Sequence, residues 1–153
     1  MVIKIVAVGK IKEKYINDGI NEYLKRISPF CNLQIVETKE FHFQEIEKNI
    51  DLEGKAILDN LHPNDYVITL EIEGESIDSI TLSNKIKELY TYQSHNLVFV
   101  IGGSNGLSLD VKKRSNYRLS FGRLTYPHQL TRLLLCEQIY RAFSIINNLK
   151  YHK

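Results

Sequence analysis

The sequence predicts an α/β fold, a mainly parallel sheet with helices on both faces. Three observations point to it. Short apolar, β-branched runs alternate with longer stretches whose apolar residues recur at helical spacing. Hairpin signals between the strand-like runs are few, so the strands are joined by crossovers, which are right-handed by the general rule. One run, residues 96–101 (NLVFVI), is apolar on both of its faces, which suits the centre of a sheet covered on both sides.

Residues 2–8 (VIKIVAV) read as the first strand, stopped by Gly9. Residues 11–27 carry Ile11, Tyr15, Ile16, Ile20, Tyr23, Leu24 and Ile27 close to the helical period with charges between them, an amphipathic helix. Residues 33–36 (LQIV) form a second strand. Residues 43–61 read as a helix with Ile46, Ile50, Ile57, Leu58 and Leu61 on one side, although its early part is polar. Residues 65–70 (DYVITL) are a third strand, ending in an acidic turn that holds Glu71, Glu73 and Glu75. The spacing then predicts a helix over 79–92, the central strand at 96–101, a short helix near 109–115 and a strand at 118–121. A final helix follows over 128–147, entered at Pro127, whose fixed φ suits a first turn. No composition shift marks a linker, so residues 1–153 are expected to form a single domain.

Hydrophobic content of 43% and charged content of 25% place the chain among globular proteins able to bury a core. No apolar run approaches the roughly 20 residues of a membrane span. The opening residues mix Lys into a short apolar stretch without a small-residue cleavage site, so a cytoplasmic protein away from membranes is expected. Cys31 and Cys136 are far apart and read as reduced thiols, and the five histidines form no ligand spacing, so no metal is expected.

Charge is unevenly placed. Residues 111–153 hold nine Lys/Arg against one acid, Glu137, whereas the first 110 residues hold eleven against seventeen acids. A basic end on an acidic body suits a polyanionic partner, and a solvated helix face is the alternative that charge alone leaves open. The final helix places Leu135, Ile139, Ala142, Phe143 and Ile146 in one stripe and Leu130, Leu133 and Leu134 on another side. Both sides need cover, from the fold itself or from a second copy of the chain.

Two loops suit close approach of a ligand to the backbone. Gly102-Gly-Ser-Asn-Gly106 follows the central strand, where open α/β sheets bind ligands, yet its glycines match neither a dinucleotide fingerprint nor a phosphate loop. Alone it reads more readily as a bare turn than as a ligand site. Residues 121–127 (FGRLTYP) follow the next strand, with backbone groups able to meet an adenine edge and Leu124 and Tyr126 able to enclose a ring. No nucleophile constellation stands out, and the alternating glutamates read as a solvated turn rather than a metal or glycosidase site.

The strings FVIGGSNGL at 99–107, LSFGRLTYPHQLTRLLLCEQIYRAF at 119–143 and the closing Tyr151-His152-Lys153, with VGKIKEKY at 8–15 and VITLEIEG at 67–74, closely resemble the ribosomal large subunit methyltransferase H family. The resemblance implies a SPOUT-type α/β fold with a C-terminal trefoil knot, acting as a homodimer. It implies methyl transfer from S-adenosylmethionine to N3 of a pseudouridine in 23S rRNA, within the large subunit or the whole ribosome. Carried over by motif, it assigns cofactor contacts to Leu70, Gly102, Phe121, Gly122, Arg123, Leu124, Thr125 and Tyr126. Residues 38–56 match least, and no role is carried over there.

For catalysis, the residues themselves suggest Arg132 or Arg141, with His128 or His152, orienting the base and favouring its deprotonated form. An adjacent opposite charge lowers a pKa by about 1–3 units. Arg114, Arg118, Lys150 and Lys153 are expected on phosphates. A non-catalytic RNA-binding or ribosome-assembly protein on the same fold is the competing reading. A flavodoxin-like binder fits the alternation but explains neither the basic end nor the Tyr-Pro-His segment.

Overall fold

The computed structural model describes residues 2–92 and 95–153, over which strands and helices alternate strictly. The elements are β1 (Val2–Val8), α1 (Lys14–Ile27), β2 (Asn32–Thr38), α2 (Ile46–Leu58), β3 (Tyr66–Ser76), α3 (Ser79–Tyr92), β4 (Leu97–Ile101), α4 (Leu109–Arg114), β5 (Tyr117–Ser120) and α5 (His128–Ile146). The strands form one sheet in the order β2-β1-β4-β3-β5, and every neighbouring pair is parallel. The expected fold class is therefore borne out.

β4 lies at the centre and all of its residues are buried. Strand pleat explains its unbroken apolar sequence: Leu97, Phe99 and Ile101 face one layer, Val98 and Val100 the other. On the first face Leu97 and Phe99 pack with Ile16 and Ile20 of α1, Leu82 and Ile86 of α3, and Leu135 and Ile139 of α5. On the second, Val98 and Val100 meet Ile57 of α2 and Val111 of α4. The larger helical layer thus includes the basic C-terminal helix, and the smaller one backs the glycine-rich loop.

Three elements depart from expectation. α1 starts at Lys14 rather than at 11, which leaves Tyr15 66% exposed and off the apolar face. α2 is shorter than 43–61 and buries Asn49, Glu53, Gly54 and Ile57, while Ile46 faces solvent. The third is the acidic segment, which is not a turn. β3 continues through Ser76, with its pairing to β5 broken after Leu70 and resumed at Glu75. A bulge of this kind ejects residues while the strand carries on. Gly74 makes the return possible, because a Cβ there would lie 2.7 Å from the Arg118 backbone.

Candidate active site

The C-terminal ends of β3, β4 and β5 surround a cleft of about 370 Å³. Of the residues assigned by motif, Leu70, Gly102, Phe121, Gly122, Leu124, Thr125 and Tyr126 line it, and Arg123 is exposed and does not. His128, at the start of α5, lines it too.

Local chemistry shapes both loops. Gly106 and Gly122 have φ of +87° and +107°, conformations that favour glycine. Nothing lies within 4 Å of where their side chains would be, so bare backbone meets open space. The Gly106 N–H donates to the Gly103 carbonyl at 3.1 Å, folding the first loop on itself. Ser108 ends that loop by capping α4, its Oγ accepting the Val111 N–H at 3.2 Å. In the second loop Ser120 Oγ accepts the Gly122 N–H at 3.1 Å.

The cleft rim is charged. Glu71, which sequence reasoning left in a solvated turn, is buried and takes two bonds from Arg118, Nη2 to Oε1 at 2.8 Å and Nε to Oε2 at 3.0 Å. Thr69 Oγ1 donates to it at 2.7 Å and Lys112 Nζ lies 3.8 Å away. Burial pushes the Glu71 carboxyl up, but the Arg118 and Thr69 hydrogen bonds outweigh it and hold the group below its ordinary range. His128 Nε2 is buried without a hydrogen-bond partner. Burial lowers its pKa against the opposing pull of Glu40, which disfavours the charged ring on the cleft wall.

A second cavity, about 620 Å³, lies between the β3–α3 connection and α5. Asp78, Ser79, Leu134, Gln138 and His152 line it, and it shares Leu119, Phe121, Gly122 and Tyr126 with the first. The segment 119–126 is thus a wall common to both. Behind the second cavity sits a compact polar cluster. Arg141 donates to Glu137 Oε1 from Nη2 at 2.6 Å and from Nε at 2.9 Å, and its guanidinium lies 4.7 Å from the Tyr151 ring centroid. Tyr151 Oη donates to the same Glu137 oxygen at 3.0 Å. Arg141 Nη1 lies 3.1 Å from His152 Nδ1. Arginine only donates, so Nδ1 must accept, and the neutral ring carries its proton on Nε2.

The structure separates the two arginines that the sequence grouped. Arg132 is 1% exposed and reaches neither cavity. Its Nη1 donates to Glu37 Oε2 at 2.6 Å and its Nη2 to the Gly9 carbonyl at 3.0 Å, tying α5 to the ends of β1 and β2. Arg114 is similarly engaged, donating to the carbonyls of His62 and Asp65 at 2.8 and 3.0 Å. Gln138 and Glu71 were missed, though both left a signal. Gln138 falls between Leu134 and Arg141 at spacings of one helical face, and acid–apolar alternation at 71–75 is a strand pattern. Among the described residues no group of three or more His, Cys, Asp or Glu is placed to hold a metal ion.

The family described as "Predicted SPOUT methyltransferase" matches residues 1–152. The chain belongs to the SPOUT methyltransferase family. Relatives named "Ribosomal RNA large subunit methyltransferase H" from Finegoldia magna and Carboxydothermus hydrogenoformans are 51% and 48% identical, each aligned over the whole of both chains. The resemblance drawn from the sequence strings is thereby borne out. A solved structure, "a probable methylase family protein from Haemophilus influenzae Rd KW20", is 15% identical with a TM-score of 0.50, covering 95% of this chain and 66% of that one. That likeness concerns the fold alone.

Proposed function

We propose that this SPOUT methyltransferase methylates N3 of a pseudouridine in 23S rRNA of the large ribosomal subunit, with S-adenosylmethionine as methyl donor. One observation carries the reading: a single loop, 119–126, walls both a cleft of bare backbone and apolar side chains and a cavity backed by a charged arginine. The names of the full-length relatives support the substrate class.

The first cleft fits the donor. Its volume of about 370 Å³ lies in the range of small-molecule sites, about 300–1,000 Å³. Leu70, Leu119, Phe121 and Tyr126 offer apolar surface to a ring, and the open backbone at Gly106 and Gly122 offers hydrogen bonds to its edge. Leu70, Gly102 and the stretch 121–126 would hold it, Arg123 through its backbone only. When bound, S-adenosylmethionine supplies an electrophilic methyl group on its sulfonium.

The protein's own work is to orient the acceptor and stabilise its charge. N3 of a uracil-type ring carries a proton and is a poor nucleophile until that proton leaves. In the second cavity the Nε2–H of His152 would donate to a ring carbonyl, with Arg141 supplying positive charge 3.1 Å from its Nδ1. Together they favour the N3 anion, so a strong protein base is not required. His152 in this tautomer is a donor, which removes it as the proton acceptor.

The C-terminal segment is read as threaded into a trefoil knot, and the working form as a cytoplasmic homodimer in which the half-covered Leu130, Leu133 and Leu134 gain a partner surface. Exposed Lys150 and Lys153 are left for RNA phosphates, so affinity should fall as salt rises. The deciding experiment is tritiated-methyl transfer to free 23S rRNA, isolated large subunits and whole ribosomes in parallel. Folded protein without affinity for the donor at millimolar concentration would overturn the enzyme reading and leave the non-catalytic RNA-binding alternative.

A further inference from the structure

Helix α2 presses an acid against the back of the glycine-rich loop. Its buried face holds Asn49, Glu53 and Gly54 beside Ile57, although it lies against a valine-rich sheet face. Asn49 is fully engaged with the Phe43 backbone, accepting its N–H at 2.7 Å and donating to its carbonyl at 2.8 Å. Glu53 is not. It is 2% exposed, its Oε2 accepts the Phe41 N–H at 3.0 Å, and its Oε1 is buried with no hydrogen-bond partner. A buried carboxyl oxygen with nothing to bond is unfavourable, and an apolar side chain would fill the same space without that penalty.

Glu53 Oε1 faces the loop. A Cβ on Gly103 would lie 3.1 Å from it, tighter than ordinary contact, so glycine eases the close approach of loop and carboxyl. The next residue of the helix meets the other end of the same loop. A Cβ on Gly54 would collide with Oγ of Ser108, the residue that caps α4. Two successive residues of α2 therefore brace the 102–108 segment from behind, while Gly102, Gly103 and Ser104 line the cleft in front. The charged groups facing Glu53 come from the 39–45 connection, with Glu40 raising its pKa and His42 lowering it, both secondary to burial and the Phe41 bond.

We propose that Glu53 is a positioning residue for the methyl donor: its free Oε1 accepts a backbone N–H of residues 102–104 when the donor occupies the cleft, fixing the loop in its bound shape. This rests on the cleft being the donor site. Glu53 does not line the cleft and acts only through the loop.

The test compares the full-length protein with Glu53→Gln and Glu53→Met by titration calorimetry with S-adenosylmethionine, thermal melting and steady-state kinetics. Glutamine keeps the shape and a carbonyl for the Phe41 N–H while removing the second acceptor. Both variants should raise the donor Kd and donor KM about tenfold, the worth of one hydrogen bond. In Glu53→Gln, kcat and the RNA KM should stay within about twofold and Tm should match or exceed that of the parent. Parental donor affinity in folded Glu53→Gln and Glu53→Met overturns the proposal, as does a fall in Tm that takes every kinetic parameter with it. A parent protein that fails to bind the donor overturns the donor-cleft reading itself, and this proposal with it.

Discussion

At its N-terminal end helix α5 presents His128 and Arg132; near its C-terminal end Arg141 meets His152 from the closing segment. Chemically the two pairs match. Their surroundings do not. Arg132 is sealed, its Nη donors ending on Glu37 and on strand-end carbonyls, and its Nε buried without a partner. Arg141 has a side chain 24% exposed, pairs within its own helix, and stands behind a histidine that lines a cavity. Donors that end on the fold's own carbonyls are not free for a substrate, whereas a partly exposed guanidinium behind a cavity-lining histidine keeps its field available. Arg132 thus holds the strand ends, and the proposed function gives Arg141 the acceptor side.

The sharpest way to break this contrast is Arg132→Ala. It empties the space of a fully buried side chain, leaves the half-exposed Glu37 unpaired and strands the buried carbonyl of Gly9. Such a cavity together with the lost bonds costs about 3 kcal/mol, or a Tm lower by roughly 6–12 °C for a chain of this size. Thermal melting followed by circular dichroism measures it. Parental stability together with lost methyl transfer would place Arg132 at the substrate and dissolve the distinction.

Arg141→Ala should do the reverse. Its pair with Glu137 is an i,i+4 contact between partly exposed groups, so stability should fall by less than about 1 kcal/mol. The single-turnover methylation rate should fall about a hundredfold, the usual consequence of losing a charge-stabilising donor, with donor affinity unchanged. Removing residues 151–153 takes away His152 and the Tyr151 brace but leaves Arg141 on Glu137. A loss approaching that of Arg141→Ala is expected there by the same assay, because His152 is the proposed donor to the base. Equal losses in donor binding would mean that the closing segment supports the cleft instead of the base.

The sequence carried most of this architecture where a single pattern governs. Double-sided burial of 96–101 placed β4 at the centre, and strand–helix alternation set the parallel sheet. It failed where tertiary contact overrides a local pattern. The run 71–75 resembles a solvated turn, yet Arg118 and Thr69 draw Glu71 inside and Gly74 lets the strand return. The same limit hid the fate of the arginines, because an Arg in an apolar helix is written alike whether it meets Glu37 or stands behind His152. The two cleft loops were legible because glycines and a Tyr-Pro step after strands constrain backbone directly, as the φ of Gly106 and Gly122 reflects. Glu53 left no readable signal, since its importance lies in what Gly103 permits from another part of the chain.

The smallest expected effect tests the histidines. His128 lies half-buried on the cleft wall with Nε2 closed to water, and burial holds its pKa below the ordinary 6.5 against the pull of Glu40. Between those two values the unfolded chain takes up more protons than the folded one, so acid favours unfolding. The contribution is whole above pH 6.5 and disappears as pH falls through the folded value. His128→Gln removes the titration, so urea melts across pH 5–7.5 should show the parent losing stability relative to the variant on the acid side alone. Parallel curves would mean that the His128 ring is solvated and titrates normally, leaving the N-terminal end of α5 as open as its C-terminal end and weakening the case that only one end meets the nucleobase.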